Sequence, residues 1–329
     1  MKRIPFSLTL ELTNQCNLRC KLCNIWREKE MKLLDIVTIK DILTTISRLN
    51  KYKLEFVSLT GGEPFLHPAI EEIFKLIILF KIKKVLKKEL GIGIYSNGYS
   101  TDKIIGFLEK NVRYLSNVIL GISLDGWGET HNFLRGKRDA FTMSLDTIEK
   151  VHSLFMEVKL EIKLTISPIN INEIYTVYDF CKDKGIYFTP KVVETNVMYY
   201  YHRNKNSIDI NFNRAHKERI KKVFAKIIKK EEESRIKIVN IAVLNTLLRY
   251  LDEGYNFITR CLTPTNSLFI TSYGNIHPCL YLPPIVNVKQ PKWQNKLNGR
   301  EHMQIIKKGL NGECPKCISY HGFLCDINL

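Results

Sequence analysis

The chain has 329 residues, 45% of them hydrophobic and 25% charged, and carries 50 Lys and Arg against 33 Asp and Glu, a net charge of +17. A chain of this mass exposes roughly 14,000 Å² when folded against roughly 56,000 Å² when extended, so it can bury a core without staples. Global disorder, a collagen-like repeat and a small disulfide scaffold are excluded.

In the first 195 residues short apolar runs alternate with longer mixed-face runs. Strands are predicted at Ser7–Leu12, Glu55–Leu59, Gly91–Tyr95, Asn117–Leu124, Lys159–Ile166 and Ile186–Val193. Helices are predicted at Ile39–Leu49, Ala69–Phe80, Asp102–Lys110, Phe141–Phe155 and Ile174–Lys184. Strands separated by helices imply a parallel sheet, with functional groups at the C-terminal rim of the strands. Residues 196–213 are rich in Tyr, Asn and charge and read as a linker or a substrate-facing loop, with His202 and Tyr199–Tyr201 as candidate substrate contacts. Residues 214–233 form a basic helix ending in Glu231-Glu232-Glu233. Within 216–237 nine Lys or Arg face four Glu. A solvated face is one reading and RNA contact another, although aromatic residues to stack bases are scarce there. A second helix follows at Ile241–Leu251. Leu268–Ile270, Tyr273-Gly274-Asn275 and Ile276-His277-Pro278 then read as a hairpin.

The charge is spread out, with 24 basic and 17 acidic residues in 1–150 and 26 and 16 in the rest. Such a field attracts nucleic acid, an anionic surface or an acidic substrate, and is equally a bias of Lys-rich proteomes. Pro5 and Glu11 interrupt any apolar targeting run after Lys2 and Arg3. The longest apolar run, Ile73 to Phe80, contains Lys75 and falls short of the about 18 residues of a spanning helix. A cytoplasmic location is expected, where thiols stay reduced.

Nine cysteines stand at 16, 20, 23, 181, 261, 279, 314, 317 and 325. Eight fall into two groups, which in a reducing compartment points to a soft metal or an iron–sulfur cluster. Cys16-Asn-Leu-Arg-Cys20-Lys-Leu-Cys23 brings three thiolates together only if the backbone loops round a metal. Three ligands leave one position of a four-iron cube free. Closed structural zinc would need a fourth ligand, yet Asn14 and Asn24 are poor ones and the nearest histidine is His67. The three-residue gap also departs from ferredoxin spacing. Cys181, inside a predicted helix, reads as a small buried hydrophobe.

The motif Cys-x3-Cys-x2-Cys resembles that of the radical S-adenosylmethionine enzymes. Thr60-Gly61-Gly62-Glu63-Pro64, which begins 38 residues beyond Cys23 when counted to Gly61, looks like that family's GGEP motif. The resemblance implies a partial (β/α)6 TIM-like barrel of α/β class. It implies a [4Fe-4S] cluster on Cys16, Cys20 and Cys23, whose free iron takes S-adenosylmethionine. One electron then cleaves the sulfonium, and a 5′-deoxyadenosyl radical abstracts a substrate hydrogen. A flavodoxin- or ferredoxin-type electron donor is implied as partner. Gly61, Gly62, Glu63 and Pro64 would receive the methionine amino group, since paired glycines permit close approach and a carboxylate suits an ammonium. Ser96 and Asn97 after the third strand, and Ser123 and Asp125 after the fourth, resemble segments lining the cofactor pocket. Arg135, in an Arg-Gly segment, would reach the cofactor or an acidic substrate group. Thr165 and Asn170 match a fifth-strand segment.

Cys261, Cys279, Cys314 and Cys317 form the second group. Four thiols can enclose a zinc without an open site. Twelve residues separate Cys261 from Gly274 and four separate Gly274 from Cys279, with Cys-x2-Cys later. This spacing resembles the SPASM domains of the same family, in their shorter twitch form with one auxiliary [4Fe-4S] cluster. The expected organisation is a barrel over 1–213, a helical linker over 214–255 and a twitch-like domain over 256–329, with no leader-binding domain before Ser7. Cys325 is surplus to the four: a ligand, a hydrogen donor or inert. Related sulfatase-maturing enzymes place an Asp base directly after the second cysteine. Here Leu280 and Tyr281 follow, leaving Tyr281 as a candidate proton or hydrogen donor or a packed turn. A peptide-modifying enzyme is the leading expectation. A small-metabolite enzyme, an RNA modifier and a metal-binding interaction protein are the alternatives.

Overall fold

The structure is a computed structural model and describes residues 4–49, 52–82, 90–193, 208–257, 261–297, 299–314 and 317–318. Six strands follow one another as β1 (Ile4–Thr13), β2 (Tyr52–Gly61), β3 (Gly91–Ser96), β4 (Val118–Ser123), β5 (Lys159–Ile166) and β6 (Tyr187–Val192). Each pairs in parallel with the next. Between them lie α1 (Ile36–Arg48), α2 (Ile70–Ile82), α3 (Thr101–Asn111), α4 (Glu129–Arg135), α5 (Ala140–Leu154) and α6 (Ile174–Lys184). This is the expected α/β partial barrel.

Alternation along β5 shows how the sequence builds it. Leu160, Ile162, Leu164 and Ile166 are buried on one face, which packs with Ile148 and Val151 of α5 and Ile174 and Val177 of α6 in one core. The other face carries Glu161, Lys163 and Thr165, half-buried. Side chains alternate across a strand, so a barrel with a polar lumen needs this pattern. Burying each Leu or Ile of the outer face contributes about 1.5–3 kcal/mol.

The C-terminal part continues the same sheet. Strand β7 (Ser267–Ile270) pairs in parallel with Ser7–Leu10 of β1. The hairpin expected around Gly274 is present: β8 (Asn275–His277) runs antiparallel to β7, and β9 (Val286–Asn287) antiparallel to β8. Gly274 turns at φ 86°, and a Cβ there would meet Val288 at 2.7 Å. The nine strands run β6-β5-β4-β3-β2-β1-β7-β8-β9.

The basic helix α7 (Arg214–Glu233) buries Ile220, Phe224 and Ile227, one face at helical spacing. Its cations are partly engaged. Lys226 lies 3.4 Å from the centre of the Tyr175 ring, and Lys230 pairs with Asp179 at 2.6 Å. Glu231 is buried and accepts from Tyr178 Oη, Lys182 Nζ and the Ile238 amide at 2.8, 2.6 and 2.8 Å. Helix α8 (Ile241–Glu253) packs on α7. A further helix, α9 (Arg300–Leu310), has no counterpart in the sequence reading. Cys181 is fully buried, as expected. Among the described residues no helix is long and apolar enough to cross a membrane.

Candidate active site

The thiol loop leaves β1 and is clamped on both flanks. On one side the amides of Gly62 and Glu63 donate to the carbonyls of Thr13 and Gln15, both at 2.7 Å. A Cβ on Gly61 would stand 2.3 Å from Thr13 O, and one on Gly62 would stand 2.1 Å from Gln15 O. The paired glycines therefore admit the chain's own backbone. On the other side Arg19 N and Lys21 N donate to the carbonyls of Arg135 and Leu134, at 3.1 and 2.8 Å. Gly136, at φ 66°, leaves room there for Arg19 O, which a Cβ would meet at 2.2 Å. Inside the loop, Arg19 Nη1 donates to Cys16 O at 2.8 Å and Trp26 Nε1 to Cys20 O at 3.1 Å.

So held, Cys16, Cys20 and Cys23 line a cavity of about 290 Å³. Gly61, Gly62, Ser96, Asn97, Ser123, Arg135, Thr165 and Tyr281 line it too. Residues from six strand ends, one short helix and the C-terminal part thus meet in one place.

Glu63, Pro64 and Asp125 stand behind that wall. Glu63 is fully buried. Its carboxylate accepts from Ser96 Oγ at 2.9 Å, from the Asn97 amide at 2.8 Å and from the Phe65 amide at 3.2 Å. Burial pushes its pKa up to about 7, against the pull of those three bonds. The bonds to Ser96 and Asn97 tie β2 to β3. Pro64 starts the 3₁₀ turn Pro64–Leu66. Asp125 pairs with Arg135 Nη2 at 2.7 Å and accepts from the Thr165 amide at 2.8 Å. It positions two cavity residues. His131 Nδ1 accepts from the Asp125 amide at 3.0 Å, and burial and Arg135 keep that ring neutral.

Asn97 Nδ2 donates to Asn17 Oδ1 at 2.8 Å and lies 3.8 Å from Cys16 Sγ. Arg135 Nη1 lies 3.9 Å from Cys20 Sγ, while its Nε is buried without a hydrogen-bond partner. Burial raises all three thiol pKa values, Cys16 to about 11 and Cys23 to about 12, with the neighbouring sulfur of Cys20 adding to both.

The family model for the radical SAM superfamily matches residues 10–181. The chain belongs to the radical SAM superfamily. The sporulation killing factor maturation protein SkfB of Bacillus subtilis (strain 168) is 29% identical over 187 residues, 56% of this chain and 41% of that protein. The matched stretch spans less than half of SkfB. GTP 3′,8-cyclase of Aliarcobacter butzleri (strain RM4018) is 22% identical over 325 residues, 94% of this chain and 90% of that one. Among solved structures, Streptococcus suis SuiB bound to its precursor peptide SuiA superposes with a TM-score of 0.66 at 15% identity, over 92% of this chain and 67% of SuiB. That likeness is one of fold.

The residues present fit the cluster of a radical SAM protein. Three half-buried thiols with raised pKa values stay protonated at neutral pH unless a cationic group compensates them, and iron does so. Among the described residues no three Cys, His, Asp or Glu side chains close on a single ion.

In the C-terminal part, Cys261, Cys279, Cys314 and Cys317 are each half-buried. Cys261 precedes the helical turn Thr263–Asn266, Cys279 follows β8, and Cys314 follows α9. These segments pack together: a Cβ on Gly309 of α9 would meet Pro264 at 2.6 Å and Leu282 at 3.5 Å. Cys325, His202 and Tyr199–Tyr201 lie outside the described residues.

Among the cavity residues that escaped the sequence reading are Trp26 and Lys191. Trp26 follows Cys23 by three positions and lines the cavity, with Arg19 and Arg27 stacked on its ring at 5.3 and 4.7 Å. Lys191 lies on the exposed side of β6 in step with Tyr187 and Thr189. Period-two alternation alone would have put it in the lumen.

Proposed function

We propose that this protein is a radical S-adenosylmethionine enzyme that modifies a peptide side chain or α-carbon. Cys16, Cys20 and Cys23 hold a [4Fe-4S] cluster, which when bound supplies the electron that cleaves S-adenosylmethionine and so starts hydrogen abstraction from the substrate. The observation that carries this reading is the meeting of those three thiols, Gly61 and Gly62 in one cavity at the barrel rim. Ser96, Asn97, Ser123, Arg135 and Thr165 present polar groups to the cofactor. Asp125 fixes Arg135 and the Thr165 amide, and Glu63 fixes Ser96 and Asn97. Cys261, Cys279, Cys314 and Cys317 hold an auxiliary [4Fe-4S] cluster, and a flavodoxin- or ferredoxin-type protein supplies the electron. Tyr281, on the cavity wall, is the candidate proton or hydrogen donor. The peptide reading is supported by the likeness to a maturation protein, SkfB, and to the fold of a precursor-peptide complex, SuiB.

One observation favours a second reading, radical chemistry on a small metabolite: the alignment with GTP 3′,8-cyclase runs over nearly the whole of both chains. The test is anaerobic reconstitution with iron and sulfide, followed by dithionite and S-adenosylmethionine. 5′-Deoxyadenosine should form in the reconstituted protein alone and accelerate with substrate. Absence of that nucleoside from protein holding its full iron would end the assignment.

A further inference from the structure

Of the three cations that point into the barrel lumen among the described residues, two have carboxylate partners and one does not. Arg135 is offset by Asp125 at 2.7 Å. Deeper in the lumen, Lys163 pairs with Glu161 at 3.5 Å and stacks on the Tyr95 ring at 4.5 Å. Thr189 donates to the same Glu161 carboxylate. Lys191 stands one step along β6, beside Thr165 in the strand register, and lines the cavity. Among the described residues its ammonium has no hydrogen bond and no ion pair. No Asp or Glu among the described residues lines the cavity, Glu63 and Asp125 being turned into the wall behind it.

Lys191 is exposed and lines the cavity, so its ammonium is open to an incoming anion. A second lysine close by adds repulsion. Burial lowers the Lys163 pKa, and Lys191 lowers it further, against the pull of Glu161. A cluster on three thiolates carries net negative charge, and the sulfonium cofactor carries net positive charge, so the pair offset each other and leave Lys191 as it was. An anionic ligand in the cavity would remove the imbalance.

We infer that Lys191 is the anion-binding residue of the cavity and takes a carboxylate of the substrate. The inference rests on the peptide-modifying reading proposed above and narrows it: the peptide presents an Asp or Glu side chain, or a free C-terminus, to β6. A charge-assisted hydrogen bond inside a cavity discriminates carboxylate from amide strongly. The isosteric amide offers a neutral carbonyl acceptor in place of the charged carboxylate and so makes a weaker bond.

The test uses reconstituted holoenzyme with bound S-adenosylmethionine and a synthetic hexapeptide library. Its members come in pairs that differ only as Asp against Asn, Glu against Gln, or free against amidated C-terminus. Retention is read by mass spectrometry and cofactor affinity by equilibrium dialysis, for wild type, Lys191→Met and Lys191→Arg. Wild type should retain carboxylate members about tenfold over their amide partners, the scale of one charge-assisted hydrogen bond. Lys191→Met should lose that preference, and Lys191→Arg should keep most of it, with cofactor affinity equal in all three. Absence of preference in wild type, or an unchanged preference in Lys191→Met, would overturn the inference. A cofactor affinity that falls in Lys191→Met would also overturn it, by assigning the lysine to the cofactor's own carboxylate. Deoxyadenosine formed without peptide is recorded in parallel. Its absence counts against the radical assignment, while peptide retention is read independently of it.

Discussion

The two cysteine groups are built in opposite ways. The first places three thiols within eight residues, on a loop that hydrogen-bonds to the GGEP turn on one side and to the end of α4 on the other. The second draws its thiols from three places: before β7, after β8 and after α9. The first is positioned by backbone contacts so close that only glycine fits. The second depends on whole elements packing together. A ligand set that must leave one coordination position open needs its loop fixed, and a four-thiol set that closes on itself constrains its own loops. On the proposed function the two groups would have separable roles: cofactor cleavage at the first, and a supporting function at the second.

Removing ligands should break the comparison most visibly. Replacing Cys16, Cys20 and Cys23 together with Ala should abolish deoxyadenosine formation, whereas Cys261→Ala with Cys279→Ala should leave cofactor cleavage largely intact and stop product formation. Chromatography of both products under dithionite checks this. Equal loss in the two variants would remove the distinction.

The clamp comes next. Gly62→Ala puts a methyl group 2.1 Å from Gln15 O, so the thiol loop must shift. Displacement of a reacting group by about 1 Å can cost about a hundredfold in rate. Deoxyadenosine formation should drop on that scale, with iron content reduced, while Gly106→Ala in α3, where a Cβ meets nothing within 4 Å, should leave cofactor cleavage at the wild-type rate.

Ion pairs give a smaller, thermodynamic contrast. Arg135→Ala leaves Asp125 buried without its partner, and breaking a buried pair costs about 3–5 kcal/mol. In the C-terminal part, Lys296 and Glu301 pair at 3.6 Å with both side chains more than half exposed, and Lys296→Ala should cost about 0–1 kcal/mol. Urea unfolding of the metal-free proteins measures both. A stable Arg135→Ala protein would mean that Asp125 is solvated after all.

Glu63 adds a pH signature to the barrel side. Burial raises its folded pKa to about 7, above the ordinary value of 4.5. The folded state therefore holds the proton more tightly than the unfolded state. The group's contribution is fully present below the unfolded pKa and is lost as pH rises through about 7. Between pH 5 and pH 8 the wild-type melting temperature should fall relative to that of Glu63→Gln, which cannot titrate. Parallel curves would show that the three hydrogen bonds outweigh burial.

Much of this was legible before any coordinates. All six barrel strands were found within three residues at each end, because their apolar alternation is strong and helices separate them. The thiol motif and the glycine pair announced the site through spacing alone. What was hidden lay in long-range packing. Nothing in the sequence around Ser267 says that β7 pairs with Ser7–Leu10 and joins the C-terminal part to the barrel sheet. Helix α4 is only seven residues long, too short for a helical period to register, yet it carries Arg135 to the cavity. Helix α9 was not singled out, although His302, Ile306 and Gly309 are buried at helical spacing. Glu63 was legible as a site residue from its motif, while its bonds to Ser96 and Asn97 on the next strand were not.

The central claim is that the chain carries two clusters with different tasks, and iron counted against cofactor cleavage tests it most directly. Iron and acid-labile sulfide should be measured beside deoxyadenosine yield in wild type and in the two ligand-deletion variants. The expected result is about eight irons per wild-type chain and about four in either variant, with the nucleoside made only where Cys16, Cys20 and Cys23 remain. About four irons in wild type, unaltered by removing Cys261 and Cys279, would contradict it.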